Sequence, residues 1–262
     1  MTAPSIKQRL RSGAQLNGCW IETFSPVAAE IMAMSGYDTA MIDLEHGPGS
    51  FTEAVVMMQA LAGYRCAPMI RATSADPSVI KRVLDIGPLG MMVPNVRSVE
   101  EARDVVAACR YGPEGFRGAA PAFLRATGYG EHVAEYEHWM AKEFLLIIQI
   151  ESKEAVADIE AIAAVDGIDM LFIGPIDLSA SLGALGQFDR EEFVQAFEAI
   201  EQAVLDAGKY LGAIPFTNWG SERLYRNGHH LVLSGADTLL LREAAGRDVQ
   251  QLRQACRDTS ES

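Results

Sequence analysis

The chain is predicted to fold as a single-domain (β/α)8 TIM barrel, on three observations. Short apolar runs alternate with helix-patterned segments eight times across 262 residues, the rhythm of sequential parallel strands joined by right-handed crossovers. Charged or amide residues stand where many of those runs end, as in Phe144-Leu-Leu-Ile-Ile-Gln-Ile-Glu151 and Phe172-Ile-Gly-Pro-Ile-Asp177. No Gly-x-Gly-x-x-Gly follows the first run and no Gly-x-x-x-x-Gly-Lys-Ser/Thr occurs, so the competing doubly wound sheet loses its usual nucleotide signatures. One domain over residues 1–262, without a linker, suits this length.

The elements follow in order. After a polar lead-in at 10–17, strand 18–22 ends in Glu22. Pro26 stands at a helix start, and helix 27–34 stops at Ser35-Gly36, a C-terminal cap signature. Strand 39–43 ends in Asp43 and passes into the polar run Asp43-Leu-Glu-His46-Gly-Pro48; helix 51–62 closes at Gly63. Strand 67–71 ends in Arg71, and Asp76-Pro77 opens a helix through Leu84 that stops at Gly87. Strand 90–95 reaches Asn95, and Ser98-Val-Glu-Glu101 is a capping box starting a helix to Arg110. Segment 111–136 breaks the rhythm. Rich in Gly, Pro and Ala, with Arg117 and Arg125, it reads as a long loop or lid after the fourth strand.

Strand 144–151 and helix 153–164 form the fifth unit, and strand 168–173 runs into Gly174-Pro175 and delivers Asp177. Phe193, Phe197, Ile200 and Val204 mark the apolar face of helix 190–207. Strand 210–214, a helix through Tyr225, strand 230–233 and a last helix from Ala236 to about Cys256 complete the set.

Composition narrows the function. Lys+Arg 22 against Asp+Glu 35, a net charge of -13, argues against nucleic acid or an anionic membrane as partner, since both bind through excess positive charge. The four cysteines are scattered without CxxC spacing, as in reduced cytoplasmic proteins. The stretch Met1-Thr-Ala-Pro-Ser-Ile-Lys7 lacks the regions of a signal peptide, and no apolar run is long enough to span a bilayer. A cytoplasmic enzyme with small-molecule substrates is the expectation.

In a barrel, chemistry gathers at the carboxyl ends of the strands. There the sequence offers Glu22, Asp43, Glu45, His46, Arg71, Asn95, Gln149, Glu151, Asp177 and Asn218. Glu151 and Asp177 end consecutive strands and suit a hard divalent cation such as Mg²⁺ or Mn²⁺; each could instead cap the helix that follows it. His46 is a candidate general base if a carboxylate such as Asp43 orients its ring, against the alternative of an exposed bystander. Arg71 could hold a substrate carboxylate and a developing enolate oxygen, or be tied up by Asp43 or Glu45. Gly174-Pro175-Ile176-Asp177 places backbone N–H groups of Ile176 and Asp177 at a helix start, a seat for a carboxylate. None of the five lysines (Lys7, Lys81, Lys142, Lys153, Lys209) is well placed for a Schiff base in the mouth, so enolate stabilisation falls to a metal and an arginine. His229 and His230 precede the eighth strand, at the opposite end, and read as structural.

Six motifs in order, Met41-Ile-Asp-Leu-Glu-His46-Gly-Pro, Pro68-Met-Ile-Arg71, Lys81-Arg-Val-Leu-Asp85-Ile-Gly, Gly115-Phe-Arg-Gly118, Gln149-Ile-Glu151 and Phe172-Ile-Gly-Pro-Ile-Asp-Leu-Ser-Ala-Ser-Leu-Gly183, resemble the HpcH/HpaI family of metal-dependent pyruvate aldolases. The resemblance covers residues 18–244. It implies a barrel whose last helix is swapped between subunits, a homo-oligomer (hexamer or trimer), and reversible cleavage of 4-hydroxy-2-oxo acids to pyruvate and an aldehyde. It further implies a divalent metal (Mg²⁺, Mn²⁺ or Co²⁺) on Glu151 and Asp177, the base at His46, a transition-state arginine at Arg71, and Asp85 as the group that raises the histidine's basicity. Whether Asp85 or Asp43 orients His46 stays open. Substrate contacts fall on Arg71, Gln149 and the Gly174-Pro175-Ile176-Asp177 turn. Ile176, Leu44 and the turn after Arg71 depart from the family's commoner residues and leave the aldehyde partner undetermined. A citrate-lyase-β-like acyl-CoA lyase is the alternative enzyme, disfavoured by the lack of a basic cluster for CoA phosphates; a non-catalytic 2-oxo-acid-binding barrel is the other alternative.

Overall fold

The computed structural model describes residues 5–260; residues 1–4, part of the stretch read above for a signal peptide, and residues 261–262 of the tail lie outside the described residues. Eight strands, β1 (Leu16–Ile21), β2 (Thr39–Asp43), β3 (Ala67–Arg71), β4 (Gly90–Val93), β5 (Leu145–Ile150), β6 (Met170–Ile173), β7 (Tyr210–Ala213) and β8 (Leu231–Ala236), pair in parallel in sequence order, and β8 closes onto β1. The chain is the expected (β/α)8 barrel. Its register is what the two-residue period of strands requires. Trp20, Met41, Met69, Met92, Ile147, Met170 and Phe172 share the interior cluster. Residues of opposite parity, such as Ile21, Ile42, Ile70, Ile148 and Leu171, pack outward under the helices. Counting two residues on from Met41, Met69 and Ile147 gives Asp43, Arg71 and Gln149, which therefore face inward at the carboxyl ends.

The helices are α1 (Ile6–Arg11), α2 (Pro26–Met34), α3 (Phe51–Leu61), α4 (Pro77–Ile86), α5 (Val99–Ala108), α6 (Val133–Glu143), α7 (Lys153–Ala157), α8 (Ile159–Ala163), α9 (Pro175–Ser181), α10 (Glu191–Asp206), α11 (Ser221–Arg226) and α12 (Asp237–Ser260). Ser25, Asp76 and Ser98 cap α2, α4 and α5 by accepting first-turn N–H groups, as their position before each helix suggests. Among the described residues no helix is long and apolar enough to cross a membrane.

Four features differ from the expectation. Helix α1 was absent from it; Ile6 and Leu10 enter the barrel's interior cluster, and Lys7 Nζ pairs with Asp169 at 2.6 Å and donates to Phe144 O at 3.1 Å, so α1 stoppers the amino end. The helix expected over 153–164 breaks into α7 and α8 at Asp158, whose carboxylate accepts the Val99 N–H at 2.7 Å. Strand β8 runs on to Ala236, past the Ser234-Gly235 expected to close it, with an irregularity opposite Gly18 and Cys19. In segment 111–136, two 3₁₀ turns (Pro121–Phe123 and Arg125–Thr127) precede α6, which takes up its last residues. That segment follows α5 and is tied to the end of α4 by Arg125 Nη1 on Ile86 O at 2.7 Å and Arg117 on Asp85 at 2.8 Å, which places it at the amino end of the barrel.

Candidate active site

Strand register sets Asp43 beside Arg71. Asp43 is fully buried and accepts two bonds from the guanidinium, Nε at 2.8 Å and Nη2 at 2.5 Å. The same carboxylate accepts the backbone N–H groups of Glu45 at 3.0 Å and His46 at 3.4 Å, so it shapes the turn that carries both. The Trp20 ring lies 4.4 Å from Arg71 Cζ and covers one face of the guanidinium. Burial works against the Arg71 charge, but the bonds and charge of Asp43, then Glu45 and Glu151, outweigh it and hold the group above its ordinary value. Glu45 Oε2 stands 3.3 Å from Arg71 Nε and 3.8 Å from His46 Nε2. Burial pushes the Glu45 carboxyl up, against the lowering effect of Arg71 and His46.

Glu151 follows β5 and is buried. Its Oε1 accepts the Asn95 N–H at 2.7 Å and its Oε2 meets the Gln149 amide. Burial, with Asp177 nearby adding repulsion, pushes its carboxyl up to about 7. Gly174 makes room for it: a Cβ there would stand 2.5 Å from Glu151 Oε2 and 2.8 Å from Gln149 Nε2. Asp177 sits in the first turn of α9, where the first backbone bond is Leu178 N–H to Gly174 O at 3.0 Å; the N–H groups of Ile176 and Asp177 precede it and have no intrahelical acceptor. Ile176 is 51% exposed. A cavity of about 310 Å³ joins these parts, lined by Glu45, His46, Asn95, Arg97, Glu151 and Asp177 among others. A larger cavity of about 570 Å³, bounded by Lys7, Phe144 and Asp169, lies at the stoppered amino end and contains none of them. Polarity, not size, marks the candidate site.

The chain thus assembles Asp43, His46, Arg71, Gln149, Glu151 and Asp177 at one mouth. Asp85 is not brought there. Helix α4 returns to the amino end, and Asp85 near its end is bonded to Arg117, so within one chain it does not orient His46. Asp43 also does not touch the imidazole; it holds the His46 backbone, and the carboxylate facing the ring is Glu45. Of the other strand-end candidates, Asn218 is bonded to Asp189 at 2.8 Å, and Glu22 accepts from Thr238 Oγ1 at 2.6 Å. Sequence reasoning gave no role to Trp20, whose inward parity two residues after Gly18 was the available signal, or to Arg97, which had none.

The residues fit a hard divalent cation. Among the described residues no three His, Cys, Asp or Glu side chains converge as a cage, so Glu151 and Asp177 would be the protein's share, with water and substrate supplying the rest, a common arrangement for Mg²⁺. Among the described residues, Glu151 is a buried carboxylate without a cationic bond of its own, and the neighbouring Gln149 Oε1 is buried without a partner. Both are conditions that a cation or a ligand would relieve.

Residues 16–244 match the model of the HpcH/HpaI aldolase/citrate lyase family. A hydroxypyruvate/pyruvate aldolase of Chromohalobacter salexigens is 39% identical over 236 residues, covering 90% of this chain and 92% of that one. A 2-keto-3-deoxy-L-rhamnonate aldolase of Klebsiella pneumoniae is 38% identical over 245 residues, 92% of this chain and 90% of that one. The crystal structure of an HpcH/HpaI aldolase/citrate lyase family protein from Burkholderia cenocepacia superposes with a TM-score of 0.89 at 32% identity, covering 95% of this chain and 98% of that one. The chain belongs to the HpcH/HpaI aldolase/citrate lyase family and is an enzyme of the lyase class.

Proposed function

We propose that the enzyme reversibly cleaves 4-hydroxy-2-oxo acids into pyruvate, or a close 2-oxo acid, and an aldehyde. The observation that carries this reading is the cavity lined by a base candidate (His46) and a carboxylate pair (Glu151, Asp177), with a fixed cation, Arg71, 3.3 Å from the Glu45 carboxylate of its wall. Glu151 and Asp177 would hold Mg²⁺, Mn²⁺ or Co²⁺, a Lewis acid that would stabilise negative charge on the 2-oxo oxygen. Arg71, pinned by Asp43 and Trp20, presents its remaining N–H groups to the same oxygen and needs no reorganisation to do so. The N–H groups of Ile176 and Asp177 seat the substrate carboxylate, and Gln149 borders it. His46, with Glu45 facing its ring, takes the proton from the C4 hydroxyl. The C4–O electrons form the aldehyde carbonyl, the C3–C4 bond breaks, and its electron pair stays with C3 as the enolate of the 2-oxo acid. Protonation at C3 then gives pyruvate.

Assembly belongs to the proposal. Helix α12 leaves Leu241 67% and Leu252 59% exposed, more apolar surface than an isolated helix of a monomer usually shows, which supports a homo-oligomer (hexamer or trimer) in which α12 crosses to a neighbour. In such an assembly Asp85 and the 111–136 segment, at the amino end of their own barrel, can serve only another subunit's mouth, Asp85 as partner to His46 and the segment as a lid. Light scattering that returns a monomer would remove that part. Burial pushes the thiols of the buried Cys66 and the half-buried Cys109 up to about 12, which disfavours the reactive thiolate and accords with a cytoplasmic setting.

The test is release of pyruvate across a panel of 4-hydroxy-2-oxo acids by metal-reconstituted enzyme. Treatment with EDTA, or His46→Ala, is expected to lower cleavage at least a hundredfold. Full activity after either one overturns the mechanism.

A further inference from the structure

Arg71 and Glu151 are fixed by bonds to their own side chains; His46 is not. Its side chain is 63% exposed, and its Nε2 stands 3.8 Å from Glu45 Oε2, beyond hydrogen-bond reach. The imidazole is therefore placed only as well as the backbone on either side of it. On one side Asp43 accepts the His46 N–H through a long bond of 3.4 Å. On the other the chain runs through Gly47-Pro48-Gly49, and there it meets Phe24.

Phe24 lies between β1 and α2 with a φ of 51°, a left-handed backbone that a bulky aromatic residue keeps only when its surroundings impose it. Bonds on both sides impose it. Asp237, 5% exposed at the start of α12, accepts the N–H groups of Glu22 at 2.9 Å and Thr23 at 3.2 Å and the Thr23 hydroxyl at 2.5 Å. Thr23 Oγ1 in turn accepts the Ser25 N–H at 3.3 Å, and Ser25 caps α2. The ring held between these tethers lies on two glycines. A Cβ at Gly47 would come within 2.6 Å of Phe24 Cε2, and one at Gly49 would overlap the ring at Cγ, Cδ1 and Cε1. Neither glycine has a left-handed φ, so what both contribute is room for a flat ring against the main chain. Phe24 is half-buried and also packs on the apolar layer under the helices. Filling that layer accounts for an aromatic side chain, but not for the strained backbone or for the two glycines cleared beneath the ring.

Resting on the aldolase reading above, we propose that Phe24 is a positioning residue for the base: tethered through Thr23 to Asp237, its ring clamps the Gly47-Pro48-Gly49 run and so sets where His46 stands for proton transfer. Phe24 does not line the cavity and acts through His46 alone. Proton transfer depends steeply on where the base is held, so loss of the clamp shows in turnover and not in binding.

The experiment measures pyruvate release, by metal-reconstituted enzyme, from the 4-hydroxy-2-oxo acid that the wild type cleaves fastest. The variants are Phe24→Gly, Phe24→Tyr and Phe24→Gly on a His46→Ala background. Glycine removes the ring and is at ease with the left-handed φ, so the clamp is lost without added strain in the loop. Phe24→Gly is expected to lower kcat about tenfold, with KM and Mn²⁺ affinity within about twofold of wild type. Phe24→Tyr, which keeps the flat ring, should recover most of that loss. On the His46→Ala background the same Phe24→Gly change should alter the residual rate less than twofold, because two changes acting through one group are not additive. A tenfold loss that persists in full without His46 overturns the proposal, as does a loss matched by an equal loss of folded protein in near-ultraviolet circular dichroism. An active wild type with Phe24→Gly indistinguishable from it sinks the positioning role alone; a wild type that releases pyruvate from no 4-hydroxy-2-oxo acid sinks the aldolase reading and the positioning role with it.

Discussion

Gly174 shows how little tolerance the candidate site has at the level of one atom. A methyl group there would press on Glu151 Oε2 and on the Gln149 amide, both of which are buried and already engaged. Gly174→Ala is therefore expected to fold and to weaken divalent-metal affinity at least tenfold, as displaced supporting groups typically do, measured by calorimetric titration with Mn²⁺; unaltered affinity would show that Glu151 has room to move. Asp43, Arg71, Gln149 and Glu151 were legible in the sequence because a strand's side chains alternate, so counting from an apolar interior residue gives the direction of a polar one. Glu45 and Arg97 were not legible in the same way. They lie in loops, where no period fixes which way a side chain points, and their placement follows from Asp43 accepting the Glu45 backbone N–H and from Asn95 Oδ1 accepting the Arg97 Nε–H. Asp85 lay in a family motif, but its helix carries it to the opposite end of its own barrel.

Among the elements, the seam between β7 and β8 depends on a histidine. His230 Nδ1 accepts the Leu211 N–H at 3.2 Å, and the ring packs edge-on against Tyr210 at 5.1 Å. Burial, and then the neighbouring His229, lower its pKa from 6.5, so the folded form keeps the ring neutral, as an acceptor must be. The unfolded chain binds a proton near 6.5 that the folded chain refuses, so stability present above that pH is lost progressively as pH falls toward the lowered folded value. Urea midpoints taken from pH 7.5 to 5 should fall across this window, and His230→Gln should flatten that part of the curve. An identical slope in the variant would remove His230 as the cause. Element boundaries were legible where caps were explicit, as at Ser25, Asp76 and Ser98. Helix α1 escaped because its six residues span too few turns to display a period, although Ser5 and Gln8 form a capping box. The break at Asp158 escaped because the carboxylate that interrupts one helix is bonded to another, α5, distant in sequence.

For the whole molecule, the fold was the most legible level: eight βα signals, each weak alone, have few other ways to bury their apolar faces in a chain of this length. The proposed assembly was not legible from composition or period, since the sequence marks α12 only as a last helix and its leucines stand uncovered only once the barrel has closed without them. The stopper formed by α1 bears on the order of events during turnover. With Ile6 and Leu10 filling the amino end, traffic has a single door. Arg71, 8% exposed, lies deeper than His46, whose side chain is 63% exposed. Pyruvate held on Arg71 is then last out in cleavage and first in during condensation, a compulsory queue set by architecture. Product-inhibition kinetics of the cleavage direction should accordingly show pyruvate competitive with the 4-hydroxy-2-oxo acid and the aldehyde non-competitive; the reverse pattern would mean that a second route out exists.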